Sequence, residues 1–355
     1  MEIKSLLKYF LLVFFCSFGM FIQSQNVKNQ IYFKSLKIDT LLHDNISIRA
    51  ILVDKNKIWY AANNSRFGFF DLETKLRTEN KIVSESSELE FRSMAQNGQN
   101  IFLLSIVNPA FLYKVSKTTL KPTLVYQENH EKVFYDSFQF WNDKEGIAIG
   151  DPTDGFLSII ITRDGGLSWN KIQADKLPPL VDGEAAFAAS NTNIVVKGNH
   201  TWVVSGGIKS RVFYSADKGK TWSVFATPIV QGKQMTGIFS ADFYDAKKGF
   251  ISGGDYEIPT QNFGNKAMTT DGGKTWNLVA EHAGFGFSSC IQYVPKSKGK
   301  GLVSVGATGI YYSNDAGVSW KQLAKDPSLY TIRFIDANTA VAAGRNKLVR
   351  IEFLK

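Results

Sequence analysis

One octet, Ser/Thr-x-Asp-x-Gly-x-Ser/Thr-Trp, occurs four times without a mismatch: Thr162 to Trp169, Ser215 to Trp222, Thr269 to Trp276 and Ser313 to Trp320. Its aspartates, Asp164, Asp217, Asp271 and Asp315, lie 53, 54 and 44 residues apart. Self-similarity at this period marks a chain built from repeated supersecondary units that bury their apolar faces on one another. Each copy follows a β-rich run (Phe156 to Ile161, Val212 to Tyr214, Lys266 to Met268, Gly309 to Tyr312) and leads into another strand. The octet therefore reads as a hairpin turn between antiparallel strands.

The turn chemistry supports a structural role. Aspartate accepts hydrogen bonds from loop N–H groups, glycine permits a positive φ, and the Ser/Thr hydroxyls close the loop. The tryptophan packs the hairpin onto its neighbour. Asp164, Trp169, Asp217, Trp222, Asp271, Trp276, Asp315 and Trp320 are thus assigned to the scaffold rather than to calcium binding or catalysis.

Degenerate turns at Phe69 to Lys75 and Leu112 to Thr118 extend the period N-terminally at steps of about 46 and 47 residues, which makes six units. After Trp320 come three more strands, Tyr330 to Ile335, Thr339 to Gly344 and Leu348 to Leu354. The early strand Ile31 to Ile38 can supply a fourth. The expected fold is all-β, a seven-bladed β-propeller of four-stranded antiparallel blades, with the two chain ends paired to remove an open edge.

The first 24 residues read as a signal peptide, leaving residues 25–355 as one propeller domain. Lys4 and Lys8 precede an apolar run from Tyr9 to Ile22, and Gln23-Ser24-Gln25 offers a small polar exit. Fourteen apolar residues are short for a membrane helix, so no span is expected after cleavage near Ser24, with an uncleaved anchor as the alternative. Export then implies a periplasmic, cell-surface or secreted location. Cys290 alone remains, so no intramolecular disulfide forms. The net charge of +9 comes from lysines scattered through turns, which suits solvated sheet edges better than a nucleic-acid footprint.

In a propeller the octets share one face, and the longer connections gather on the other. Those connections hold Asp151, Glu184, Lys209, Arg211, Asp255 and Tyr256, the expected ligand-binding residues. Glu184 is read as opening an Ala-rich inner strand at the channel mouth. Four inner strands align as polar-apolar-polar-aromatic: Ser137 to Phe140, Ser240 to Phe243, Cys290 to Tyr293 and Thr331 to Phe334. Alternation then points Gln139, Asp242, Gln292 and Arg333, together with Arg49 and Arg92, into a watery central channel. HExxH, paired CxxC, EF-hand, P-loop and GxSxG motifs are all missing from the sequence, and the four histidines are dispersed. No cofactor and no metal are expected.

The octets together with "GDPTDGFLSIIITRDGGLSW", "GEAAFAASNT", "RVFYSADKGKTW" and "FISGGDY" resemble exported Asp-box (BNR-like) propellers related to the photosystem II stability/assembly factor. The resemblance spans essentially residues 25–355. Bacterial relatives of this kind are often labelled oxidoreductase, a label that no cofactor motif here supports. The resemblance implies a non-catalytic scaffold that binds a protein on a propeller face. The leading expectation is a monomer that binds a protein or glycan on the face opposite the Asp-boxes. Similarity to sialidases stops at the Asp-boxes, since the Phe/Tyr-Arg-Ile-Pro motif is replaced by Ile48-Arg49-Ala50 and Phe91-Arg92-Ser93. The competing expectation is a glycoside hydrolase or lyase that uses Asp151, Glu184 and Asp255, for which paired carboxyls beneath a cleft are required.

Overall fold

A computed structural model describes residues 32–83 and 88–355 of the chain. The segment read as a signal peptide lies outside the described residues. Phe33–Lys355 forms one compact unit. Among the described residues no helix is long and apolar enough to cross a membrane.

The unit is an all-β propeller whose strands pair antiparallel throughout. Four sheets have four strands each, beginning at the inner strands Phe91–Gln96, Tyr135–Phe140, Ile194–Lys197 and Ser288–Tyr293. Two sheets have six. Among the described residues, counted as hydrogen-bonded sheets, the blades number six, which corrects the expectation of seven.

The reason lies in strand continuity. Ser35–Asp54 and Thr339–Leu354 are 20 and 16 residues long, and each runs on through a corner instead of stopping at a turn. Both strands thereby belong to a single sheet, ordered Leu329–Phe334, Thr339–Leu354, Ser35–Asp54, Lys57–Ala62, Arg66–Asp71, Arg77–Lys81. What the repeat spacing counts as two blades is fused into one. Within that sheet Ser35 stands opposite Leu354 and Ile38 opposite Ile351, so the two ends of the propeller unit are stitched together by ladder hydrogen bonds. The second six-stranded sheet gains Glu184–Ala185 and Gly206–Gly207 beside Thr236–Phe243.

Apolar side chains fill the spaces between neighbouring sheets, because each strand alternates and both sheet faces are covered. One such layer unites Phe102, Leu104 and Leu112 with Phe138, Ile160 and Trp169. The octet turns pin these layers. In the second copy, Asp217 Oδ1 accepts from the N–H groups of Lys220 (3.0 Å) and Thr221 (2.9 Å), while the Ser215 hydroxyl donates to it at 2.8 Å. Asp164 and Asp271 are held in the same way. Partial burial alone would raise these carboxyls, but the donors outweigh it and hold all three at about 2. The octet glycine is required twice over: Gly166 has φ +82°, and a Cβ there would lie 2.3 Å from the Phe102 ring of the preceding sheet. Trp169 completes the dock, edge-on to Phe102 at 6.3 Å and to Phe138 at 5.1 Å.

Candidate functional site

The inner strands share an irregularity that strict alternation does not foresee. In six of them the register slips by one residue, leaving Arg49, Arg92, Asp136, Phe239, Ser289 and Tyr330 as the extra residue of a bulge. A bulge re-aims its side chain, and repetition around a ring collects the re-aimed groups in one tier. All six line a single funnel of about 930 Å³ on the face opposite the octets. Asp151, Glu184, Tyr256, Phe134, Phe187 and Phe287 are also in its wall.

The funnel is blind. Glu184–Ala185 is the only strand in the Ala-rich run, and the residues after it cross the axis as a plug instead of forming the expected inner strand. Asn191 donates to Met94 O (2.8 Å) and accepts from Phe138 N–H (3.0 Å). The hydroxyls of Ser190 and Thr331 donate to Ser289 O (2.6 Å) and Ser190 O (3.1 Å). Arg49 Nη1 donates to Ala189 O (3.2 Å), and Arg333 Nη2 to Ser190 O (3.1 Å). These bonds reach inner strands on every side, so the expected watery channel is divided into two cups.

The channel residues are divided accordingly. Arg49 and Arg92 belong to the funnel, whereas Asp242, Gln292 and Arg333 line a smaller cup of about 460 Å³ on the octet face. Gln139 joins neither, because its amide is spent on Ile194 O (2.9 Å) and Val196 N–H (3.0 Å). Cys290 is buried beside the plug, with the Thr192 hydroxyl 3.9 Å from its sulfur.

Of the six candidate ligand residues, Asp151, Glu184 and Tyr256 line the funnel, whereas Lys209, Arg211 and Asp255 do not. Glu184 is buried and its carboxylate is consumed: Arg211 Nε lies 2.9 and 3.1 Å from its two oxygens, and Ser205 Oγ donates at 2.6 Å. That ion pair locks Glu184 and Arg211 into the scaffold. Asp255, 2% exposed, caps its own turn by accepting from Glu257 and Ile258 N–H at 2.9 and 3.2 Å. Lys209 is exposed and lies outside the funnel wall. Asp151 and Tyr256 do face the funnel; Tyr256 is 51% exposed and packs edge-on to Phe287 at 5.2 Å.

Asp136 is the residue that alternation missed. It is 0% exposed, and neither carboxyl oxygen has a hydrogen-bond partner. Burial first, and then the charge of Asp151, raise it well above the ordinary carboxylate range, against the pull of Arg92 and of the nearby Asp151 N–H. Asp151 is pushed up to about 6 by burial, although Ala186 N–H donates to its Oδ1 at 2.9 Å. Arg49 lies over the Tyr330 ring at 4.3 Å, and its Nε is buried without an acceptor. Arg92, by contrast, pairs with Glu90 at 2.6 Å.

Solved structures support the architecture. The chain is similar to one described as YCF48 bound to D1 peptide, with TM-score 0.65 and 14% identity over 92% of this chain and 98% of that one. YCF48 from Cyanidioschyzon merolae gives TM-score 0.64 and 11% identity over 90% and 99%. The WD40 repeats of RRP9 give 0.64 and 12% over 91% and 100%. At these identities the likeness defines a class, the β-propellers, and nothing narrower. No protein-family model and no curated protein matches the sequence.

Proposed function

We propose that this protein is an exported, non-catalytic Asp-box propeller that binds a partner protein, as an extended peptide, in the funnel opposite the octet turns. The funnel carries the reading. It offers about 930 Å³ of concave space in which aromatic walls surround two guanidinium groups, the mix of apolar grip and few polar anchors that ligand sites use. A neighbour of the same fold is described as bound to a peptide. The charged and apolar layout of residues 1–24 supports export.

The test is panning a random-peptide display library on the purified protein and titrating enriched peptides against variants. Tyr256→Ala, at a half-exposed mouth position, is expected to weaken binding about tenfold. Asp217→Ala, on the octet face, is expected to leave it unchanged. Failure to enrich any peptide, or binding that survives Tyr256→Ala but is lost in Asp217→Ala, contradicts the reading.

One observation favours a second reading, glycoside hydrolysis: Asp136 and Asp151 are buried neighbours raised in pKa, and a carboxyl held protonated near neutrality suits a general acid. Release of nitrophenol from aryl glycosides, abolished by both Asp136→Asn and Asp151→Asn, would establish it.

A further inference from the structure

The bulge tier leaves polar groups unsatisfied, and they ask for the same kind of atom. Arg49 Nε is a buried donor without an acceptor. Asp136 is fully buried, has no well-placed donor among the described residues because Asp151 N–H beside it is spent on Phe134 O at 2.8 Å, and lines the funnel at the matching bulge two inner strands along. Between them stands Arg92, whose charge acts on both. A carboxyl this deep without a donor is held in its neutral form. It then adds an O–H to the Arg49 N–H, and both donors lack an acceptor. Glu90 accepts from Arg92 Nε at 2.6 Å and leaves the Arg92 Nη groups to the funnel, and no carboxylate is paired with Arg49 among the described residues. An uncompensated guanidinium beside two unused donors is the complement of an anion with acceptor oxygens.

We propose that Arg49, Arg92 and Asp136 form a subsite for one carboxylate group of the bound peptide, a refinement that rests on the peptide-binding reading above. Arg49 and Arg92 supply charge and N–H donors, and Asp136 supplies an O–H. The carboxylate comes from a chain terminus or from an acidic side chain. Phe187 and Phe239, stacked at 3.9 Å, and Phe287, edge-on to Phe239 at 4.7 Å, give the apolar body of the residue that bears it a surface to rest on.

Three probes test this by titration calorimetry: N-acetyl-leucyl-phenylalanine, its C-terminal amide, and the amide of N-acetyl-glutamyl-phenylalanine. The free acid is expected to bind at least about tenfold more tightly than its amide, the scale of a charged hydrogen bond. Equal competition by the glutamyl amide assigns the subsite to side chains as well as termini, and its failure assigns it to termini alone. Either result supports the carboxylate chemistry.

Arg49→Gln should abolish the acid preference. Because Arg49 also holds the plug through Ala189 O, Arg92→Gln, at a partly exposed position, is the second variant, and melting curves confirm that both fold. Asp136→Asn retains an N–H donor and should retain the preference. Equal binding of acid and amide, no binding of either, or a preference that survives in folded Arg49→Gln and Arg92→Gln overturns the subsite. The display experiment judges peptide binding separately, so peptides that enrich and map to the funnel while the acid and amide bind alike refute the subsite alone.

Discussion

Asp151→Asn should make the protein more stable at neutral pH. Burial pushes the Asp151 carboxyl up to about 6 in the folded state, from an ordinary 3.8. A carboxyl raised by folding binds more protons in the native than in the unfolded state between those two values, so stability falls as pH rises through the window. The contribution is fully present below 3.8 and gone above about 6. At 1.36 kcal/mol per unit the whole shift corresponds to about 3 kcal/mol, of which about 2 kcal/mol falls between pH 4.5 and 7. The octet aspartates run the other way. Held at about 2, they stabilise the fold above their ordinary value and lose that contribution only as pH drops toward 2. Asp136 and Asp242, also raised by burial, slope the same way as Asp151, so the comparison is made between variant and wild type. Asparagine keeps an oxygen to accept from Ala186 N–H and removes the charge. Urea unfolding at pH 4.5 and 7 should show the variant losing about 2 kcal/mol less than the wild type on going up in pH. An unchanged pH slope, or a variant less stable than wild type at pH 7, refutes the assignment of a buried, raised carboxyl.

Other expectations separate scaffold from site. Glu184→Ala strands Arg211 and should cost about 3–5 kcal/mol in chemical denaturation, while peptide affinity in the folded fraction stays within about twofold. Asp217→Ala frees the N–H groups of Lys220 and Thr221 and should lower stability by about 1–2 kcal/mol, measured by thermal melting, without altering peptide binding. Deleting residues 33–40 removes the partners of Val349 to Leu354 and should abolish cooperative melting; an unchanged transition would show that terminal pairing is dispensable.

The architecture was legible because the octet repeats a complete physical unit: turn, positive-φ glycine, and tryptophan docking on the next sheet. Blade number was not, since spacing between octets carries no sign that Ser35–Asp54 and Thr339–Leu354 run unbroken through a corner. Of the candidate ligand residues, Asp151, Glu184 and Tyr256 line the funnel, though the Glu184 carboxylate is spent on Arg211, and Asp255 caps its own turn. Asp136 escaped because period-two counting from Ser137 and Gln139 assigns it to the packed face, and one bulge reverses that parity. A signal was present. The position just before each aligned inner-strand motif is the column that holds Asp136, Phe239, Ser289 and Tyr330, and Arg49 and Arg92 continue it. The plug escaped for a different reason: the Ala-rich run after Glu184 reads as an inner strand in sequence, and only tertiary contacts reveal that Ser190 and Asn191 bond across the axis instead.

The most direct test of peptide binding in the funnel is photo-crosslinking. A display-enriched peptide carrying a benzophenone residue would be irradiated on the protein, and the adducts mapped by mass spectrometry. Adducts on Phe134, Tyr256 and Phe287, in the wall of the funnel, are the predicted result; adducts confined to Lys197, Tyr244 and Tyr293 in the octet-face cup would contradict it.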